Sequence, residues 1–167
     1  MKRLFLDYSK CIGCRLCELT CSAEKAGVYN PKKSRIRSYR IGIPEQIVIS
    51  YCRHCDEAVC MESCPVNAIE KDTDGAVIIN AEKCIGCENC VDSCPAQAIF
   101  MDHNEGTIPI KCDLCHGNPK CVDACPRDAL KYGEYAAGEL LPPDKILEKL
   151  LKNYGLSLQE FQASFEE

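Results

Sequence analysis

Short apolar runs alternate along this chain with stretches rich in turn-forming residues. Arg3-Leu4-Phe5-Leu6 and Gln46-Ile47-Val48-Ile49-Ser50-Tyr51 each predict a strand. So does Ala76-Val77-Ile78-Ile79, which follows the turn pair Asp74-Gly75, and Thr107-Ile108-Pro109-Ile110 predicts a fourth. Helical spacing is readable toward the end of the chain. There Pro142-Pro143-Asp144 reads as a helix start, and Ile146, Leu147, Leu150 and Leu151 recur on one face. Gly155 reads as a stop, and the pattern predicts a helix over 143–153. Ser157 and Glu160 then form a capping-box pair ahead of Phe161 and Phe165. No apolar run approaches the roughly 18 residues that a membrane helix needs. The opening Met1-Lys2-Arg3-Leu4-Phe5-Leu6-Asp7 reaches an acid too early for a signal peptide.

Composition changes this picture more than patterning does. The chain has no Trp and 7% aromatic residues, too little large apolar material for a substantial independent core. It has 16 cysteines in 167 residues. That density leaves a disulfide scaffold, a zinc protein or an iron–sulfur protein. Without an export signal the expected location is the reducing cytoplasm, where such thiols do not become structural disulfides. The net charge of −5 argues against a nucleic-acid partner.

The cysteines fall in four groups with none left over: Cys11, Cys14, Cys17 and Cys21; Cys52, Cys55, Cys60 and Cys64; Cys84, Cys87, Cys90 and Cys94; Cys112, Cys115, Cys121 and Cys125. The groups are internal repeats. Three end alike, in Cys64-Pro65-Val66-Asn67-Ala68, Cys94-Pro95-Ala96-Gln97-Ala98 and Cys125-Pro126-Arg127-Asp128-Ala129, and three begin with Lys-Cys, at Lys10, Lys83 and Lys111. The second group has Tyr51 in place of that lysine, and the first has Ser22 in place of the proline. Each group is expected to end in a short helical turn.

A cubane cluster needs four soft thiolates converging on one small inorganic body. The C-x2-C-x2-C-x3-C-P run of the third group is the ferredoxin pattern, in which the last cysteine ligates the neighbouring cluster. Zinc sites use paired C-x2-C hooks separated by a longer stretch, which fits poorly. Four quartets therefore predict four [4Fe–4S] clusters. Gly13 and Gly86 allow a tight turn and close approach. Ile12, Ile85, Val91 and Val122 are candidates to shield the clusters from water. His54 and His116, each inside a complete quartet, are expected beside the site or on the surface rather than as ligands. Four oxidised clusters with their thiolates would add about −8 to the chain's charge. Residues 25–40 hold Lys25, Lys32, Lys33, Arg35, Arg37 and Arg40 and no acid. That segment reads as solvated charge, as a partial offset to the clusters, or as a docking patch.

The quartets resemble those of the four-cluster, ferredoxin-like electron-transfer subunits of dimethyl-sulfoxide reductase, formate dehydrogenase, nitrate reductase and hydrogenase complexes. The x4 gap between Cys55 and Cys60, and the widened fourth group with Pro119 before Cys121, look like that family. The resemblance covers residues 1–132. Small size and the lack of an export signal bring the chain closest to the small subunits of cytosolic tungsten aldehyde oxidoreductases and benzoyl-CoA reductases. The implied fold is α+β: two ferredoxin-like modules in one chain with a C-terminal helical tail. Residues 1–51 and 95–133 would form the outer module, 52–94 the inner one, and 134–167 the docking tail. The resemblance also implies the ligand sets: Cys11, Cys14, Cys17 with Cys125; Cys112, Cys115, Cys121 with Cys21; Cys52, Cys55, Cys60 with Cys94; and Cys84, Cys87, Cys90 with Cys64.

No nucleophile–base pair and no phosphate-binding loop are present, so no catalytic residue is expected. The leading expectation is a non-catalytic subunit that relays electrons between a large catalytic subunit and a redox partner. The catalytic subunit would carry a tungsten or molybdenum pterin, with hydrogenase or formate dehydrogenase as further possibilities. The redox partner would be a ferredoxin or a flavin/NAD subunit. Neither nucleic acid nor direct membrane insertion is expected. The rivals are a free-standing polyferredoxin and a zinc-stabilised interaction module, which the brown colour of a clustered protein would separate.

Overall fold

The computed structural model describes residues 1–41, 46–101, 106–134 and residue 152. Apart from residue 152, the helix expected over 143–153 and the apolar tail beyond it lie outside the described residues. Eight strands and four helices are described, in the order β1 (Lys2–Leu6), α1 (Leu16–Ala26), β2 (Ile36–Ile41), β3 (Gln46–Tyr51), α2 (Val59–Glu62), β4 (Ile69–Lys71), β5 (Val77–Ile79), α3 (Asn89–Asp92), β6 (Ile99–Phe100), β7 (Ile110–Lys111), α4 (Lys120–Asp123) and β8 (Leu130–Glu134). All are short, and the strands pair only in antiparallel twos: β1 with β8, β2 with β3, β4 with β5, and β6 with β7.

The pairing follows the repeats. The strand before the first quartet lies against the strand after the fourth, with Leu4 opposite Tyr132 and Leu6 opposite Leu130. The hairpin β4–β5 joins the second quartet to the third, with Ile69 opposite Ile79. The helices pair in the same sense, α1 packing on α4 and α2 on α3. Between α2 and α3 the Ser63 and Ser93 hydroxyls, each just before a quartet's last cysteine, share a hydrogen bond of 2.9 Å.

Helix length is set by the residue after the last cysteine. In the second, third and fourth quartets Pro65, Pro95 and Pro126 follow, and α2, α3 and α4 have only 4 residues each. The first quartet has Ser22 there, and α1 runs on for 11 residues until Gly27, at φ +69°, closes it with an N–H bond to the Ala23 carbonyl. A short turn was expected for this quartet too, and the missing proline is the reason for the difference.

The strand expected at 107–110 is displaced. Pro109 has no N–H to give a ladder, and pairing begins only at Ile110 opposite Phe100. The core is small and built around the cysteines. Leu4, Leu6, Ile36, Ile49, Tyr51, Leu114 and Leu130 pack with Cys21, Cys112 and Cys121, while Ala58, Ile69, Val77 and Ile99 pack with Cys90. Among the described residues no helix is long and apolar enough to cross a membrane.

Candidate metal centres

All four quartets share one backbone device. The residue before the second cysteine has a left-handed conformation each time: Gly13 at φ +62°, His54 at +49°, Gly86 at +68° and Leu114 at +56°. This folds the C-x2-C segment back on itself and turns both thiols the same way. The expectation for Gly13 and Gly86 holds for backbone conformation, but their close approach is to protein. A Cβ on Gly13 would lie 2.5 Å from the Ile47 side chain, and one on Gly86 2.6 Å from the Thr107 carbonyl oxygen. His54 and Leu114 occupy the same register and were not anticipated for it. Aligning the four quartets position by position would have found them. A second recurrence follows the last cysteine, where Asn67, Gln97 and Asp128 are also left-handed.

The thiols converge across groups. One cavity is lined by Cys11, Cys14, Cys17 and Cys125, closed by Leu6, Ile36 and Ile49. Another is lined by Cys21, Cys112, Cys115 and Cys121, with Leu4 and Ile36 beside them. In the other half, Cys55 and Cys60 both feel the charges of Cys52 and Cys94, and Cys90 feels those of Cys84, Cys87 and Cys64. Among the described residues no three His, Cys, Asp or Glu side chains converge tightly enough for a single ion.

The donor chemistry fits a cationic, sulfur-rich body. Burial pushes the thiols of Cys17, Cys60 and Cys112 up to about 12 and that of Cys90 to about 11. As thiolates they need positive charge beside them, and metal supplies it on binding. Backbone N–H groups also point at sulfur: Arg35 to Cys21 at 3.3 Å, His54 to Cys52 at 3.4 Å, Ala68 to Cys64 at 3.2 Å and Ala98 to Cys94 at 3.4 Å. At Cys125 burial is outweighed by the N–H groups of Leu130, Arg127 and Ala129, and the thiol falls below its usual range. Such donors favour the thiolate and tune a metal–sulfur site.

His54 is fully buried. Its Nδ1 accepts from the Val77 N–H at 3.0 Å, so the ring proton sits on Nε2, which is buried without a partner. That orphan donor fits a site rich in sulfur acceptors. His116, by contrast, is exposed. Ile12 and Ile85, expected as shields, are 56% and 63% exposed, although Ile12 also lines the first cavity. They flank Cys14 and Cys87, the two exposed cysteines. Val91 and Val122 are half-buried.

The basic segment is largely engaged within the chain. Lys25 and Arg35 both bind the Asp113 carboxylate, at 2.9 and 2.6 Å. Arg37 donates to the Lys32 carbonyl at 2.8 Å and lies 3.8 Å over the Phe100 ring. Much of it is thus neither free solvated charge nor an open docking patch.

Cysteine quartets on left-handed C-x2-C turns, interleaved with short antiparallel strand pairs, define an iron–sulfur protein of the ferredoxin type. Residues 44–135 match the family model of the 4Fe-4S dicluster domain, and residues 8–27 match that of a 4Fe-4S binding domain. The chain belongs to the 4Fe-4S dicluster family. It is 46% identical over 105 residues to an aliphatic sulfonate oxidoreductase, polyferredoxin-like subunit, from Pyrococcus furiosus, covering 62% of this chain and 60% of that protein. It is 37% identical over 102 residues to a tetrathionate reductase subunit from Archaeoglobus fulgidus, covering 61% and 49%. These matches thus span about half to three-fifths of the relatives' length. Among solved structures, the active site complex BamBC of benzoyl coenzyme A reductase aligns over 100% of this chain and 98% of that chain, at 28% identity and a TM-score of 0.49.

Proposed function

We propose that the chain is a non-catalytic electron-relay subunit holding four [4Fe–4S] clusters. The observation that carries this is the pair of cavities in which three cysteines of one quartet meet the last cysteine of another. Cys11, Cys14, Cys17 and Cys125 hold one cluster, and Cys112, Cys115, Cys121 and Cys21 a second. Cys52, Cys55, Cys60 and Cys94 hold a third, and Cys84, Cys87, Cys90 and Cys64 a fourth. The mutual charge effects among the last two sets support them. Each cluster, when bound, supplies a one-electron centre. What the chain supplies is the thiolates, the N–H donors on sulfur and the spacing.

Two modules follow from this assignment: an inner one over 52–94 and an outer one from 1–51 and 95–133. The antiparallel pair β1–β8 and the packing of α1 on α4 support the outer module, and β4–β5 with α2 on α3 the inner. Cys112 and Cys52 feel each other's charge, which supports contact between modules at the second and fourth quartets. The first and third quartets are then the ends of the relay, each with an exposed cysteine beside an exposed isoleucine. Electrons enter and leave there. The partners are a large catalytic oxidoreductase subunit with a molybdenum or tungsten pterin at one end, and a ferredoxin or flavin/NAD subunit at the other. The relatives' names, subunits of oxidoreductases, support a fixed subunit over a diffusing carrier. Sixteen free cysteines suit a reducing compartment, the cytoplasm.

The test is anaerobic iron and sulfide analysis of paired substitutions. The native chain should hold about sixteen of each. Replacing Cys11 and Cys125 together by Ser removes ligands from one cluster, leaving about twelve irons. Replacing Cys11 and Cys21 strikes two clusters and leaves about eight. Equal losses from the two pairs would overturn the crossed assignment.

A further inference from the structure

Three quartets are preceded by lysine, and the structure treats one of the three differently. Lys10 and Lys83 are exposed, each near a carboxylate, Asp7 at 3.8 Å and Glu70 at 3.5 Å. Lys111 is 4% exposed. Among the described residues it has no carboxylate partner. Its Nζ donates instead to two carbonyl oxygens, that of Val77 and that of Cys112, the latter at 3.0 Å. A buried ammonium without a counter-ion is costly, so an anion must lie close by. Among the described residues the anions beside it are the sulfur ligands on either side.

On one side is Cys112, whose own carbonyl holds the ammonium. On the other, the Val77 peptide that accepts from Lys111 donates its N–H to His54 Nδ1 at 3.0 Å, and the His54 N–H reaches Cys52 Sγ at 3.4 Å. One hydrogen-bonded path therefore runs from the fourth quartet to the second through Lys111, Val77 and His54. The same charge acts on thiols of both groups. In the second quartet the Lys111 charge acts on Cys52. Lys111 also pulls down Cys60, Cys94 and Cys112, though burial wins at all three. Lys111 ends β7 opposite Ile99, and β7 packs against β5, the strand that carries Val77.

We propose that Lys111 is a positioning residue of the relay: a buried ammonium between the second and fourth quartets that raises the reduction potentials of the two clusters held there. The inference rests on the ligand sets proposed above. Two clusters with their thiolates carry about −2 each when oxidised, and each gains a further negative charge on reduction. A cation between them lowers their mutual repulsion and favours the reduced state of both. The corresponding lysines of the two end quartets, Lys10 and Lys83, stand in solvent, where charge is screened.

The experiment is a potentiometric titration of the whole chain, followed by electron paramagnetic resonance, with iron and sulfide counted in parallel. Lys111→Met removes the charge and keeps the stem, Lys111→Arg keeps the charge, and Lys10→Met is the surface control. With iron retained, Lys111→Met should shift two of the couples about tenfold toward the oxidised form, ~59 mV more negative for one electron. Lys111→Arg and Lys10→Met should leave all couples near native values. Loss of iron in Lys111→Met with native iron and potentials in Lys111→Arg also supports the role of charge. Four unmoved couples in a fully loaded Lys111→Met overturn it, as does iron loss in both Lys111 variants. A native chain without about sixteen irons would sink the ligand assignment itself, a separate outcome read before any variant is made.

Discussion

Arg35 donates from Nη1 to the Asp113 carboxylate at 2.6 Å, joining the segment after the first quartet to the loop of the fourth across 78 positions of sequence. Lys25, in the last turn of α1, reaches the same carboxylate at 2.9 Å, and the Cys115 N–H donates to its other oxygen at 3.0 Å. Burial works against the charge of Asp113, but Lys25 and Arg35 outweigh it and hold the carboxyl below its ordinary range. Three partly buried charges share one site, so removing the acid leaves two cations facing each other. Asp113→Ala should cost about 2–3 kcal/mol, read as a lowered unfolding midpoint of the cluster-loaded chain under anaerobic conditions. A midpoint unchanged from native would mean the pairings are surface decoration.

The two glycines of the C-x2-C turns and the glycine that closes α1 make a controlled comparison. Gly27 and Gly86 have nearly the same φ, +69° and +68°, but a Cβ on Gly27 meets open space and one on Gly86 meets the Thr107 carbonyl at 2.6 Å. Gly27→Ala should cost about 1 kcal/mol, the left-handed penalty alone. Gly86→Ala should cost about 2–4 kcal/mol more, since backbone must move, and should lower iron content as well. Thermal midpoints and iron counts on the two variants check this.

How much of this was legible in the sequence depends on what carries the information. The quartets, their repeats and the strands at 3–6, 46–51 and 76–79 were readable because each is written in consecutive residues. The strand β2 was not, because Ile36, Ser38 and Arg40 alternate with Arg37 and Tyr39 in a run that reads as basic rather than apolar. The partners of Lys25 and Arg35 were not, because Asp113 lies inside a different repeat. The burial of Lys111 was hidden for a related reason: its local sequence, Lys-Cys, is the same as at Lys10 and Lys83, and only the packing of β7 against β5 separates them. His54 stood in plain view as a histidine, but its register with Gly13 and Gly86 becomes a conformational statement only when the turn is seen.

Alkaline pH should bear on two desolvated phenols, the buried Tyr51 and the half-buried Tyr39, and Tyr39 is the one tested by substitution. Tyr39, opposite Val48 in the β2–β3 pair, is pushed up to about 12 by burial, against the pull of Arg37. An unfolded tyrosine ionises near 10. Below that value both states keep the proton and Tyr39 adds no pH dependence. Above it the unfolded chain releases a proton that the folded chain retains, so stability falls as pH rises, by at most about 1.4 kcal/mol per pH unit. Tyr39→Phe removes this loss. The variant's unfolding midpoint should gain on the native one between pH 9 and about 11. Parallel curves for the two proteins would show that the ring is not desolvated.

Ser22 marks the place where the first quartet departs from the other three. The other quartets carry proline after the last cysteine, so repeat logic alone says that Ser22→Pro should be neutral or better. The structure says the opposite. Ser22 lies inside α1, fully buried, with its hydroxyl donating to the Leu19 carbonyl at 2.9 Å and accepting from the Asn30 N–H at 3.1 Å. A proline here removes a helical N–H and drives its ring into the carbonyl of Glu18, a cost of about 3 kcal/mol. Losing the hydroxyl leaves the Asn30 N–H unpaired, a further cost of about 1–3 kcal/mol. Glu18 is itself 2% exposed and holds the Ser38 N–H and the Arg15 guanidinium, so the strain reaches β2 as well. Cys21 stands immediately before the break, in the cavity with Cys112, Cys115 and Cys121. Ser22→Pro should therefore lower the unfolding midpoint sharply and reduce iron to about twelve per chain. Ser22→Ala, which keeps the helix and loses only the hydroxyl, should cost about 1–3 kcal/mol with iron unchanged. If the proline variant melts like the native chain with its iron intact, the extra turns of α1 are dispensable, and the long helix does not position Cys21.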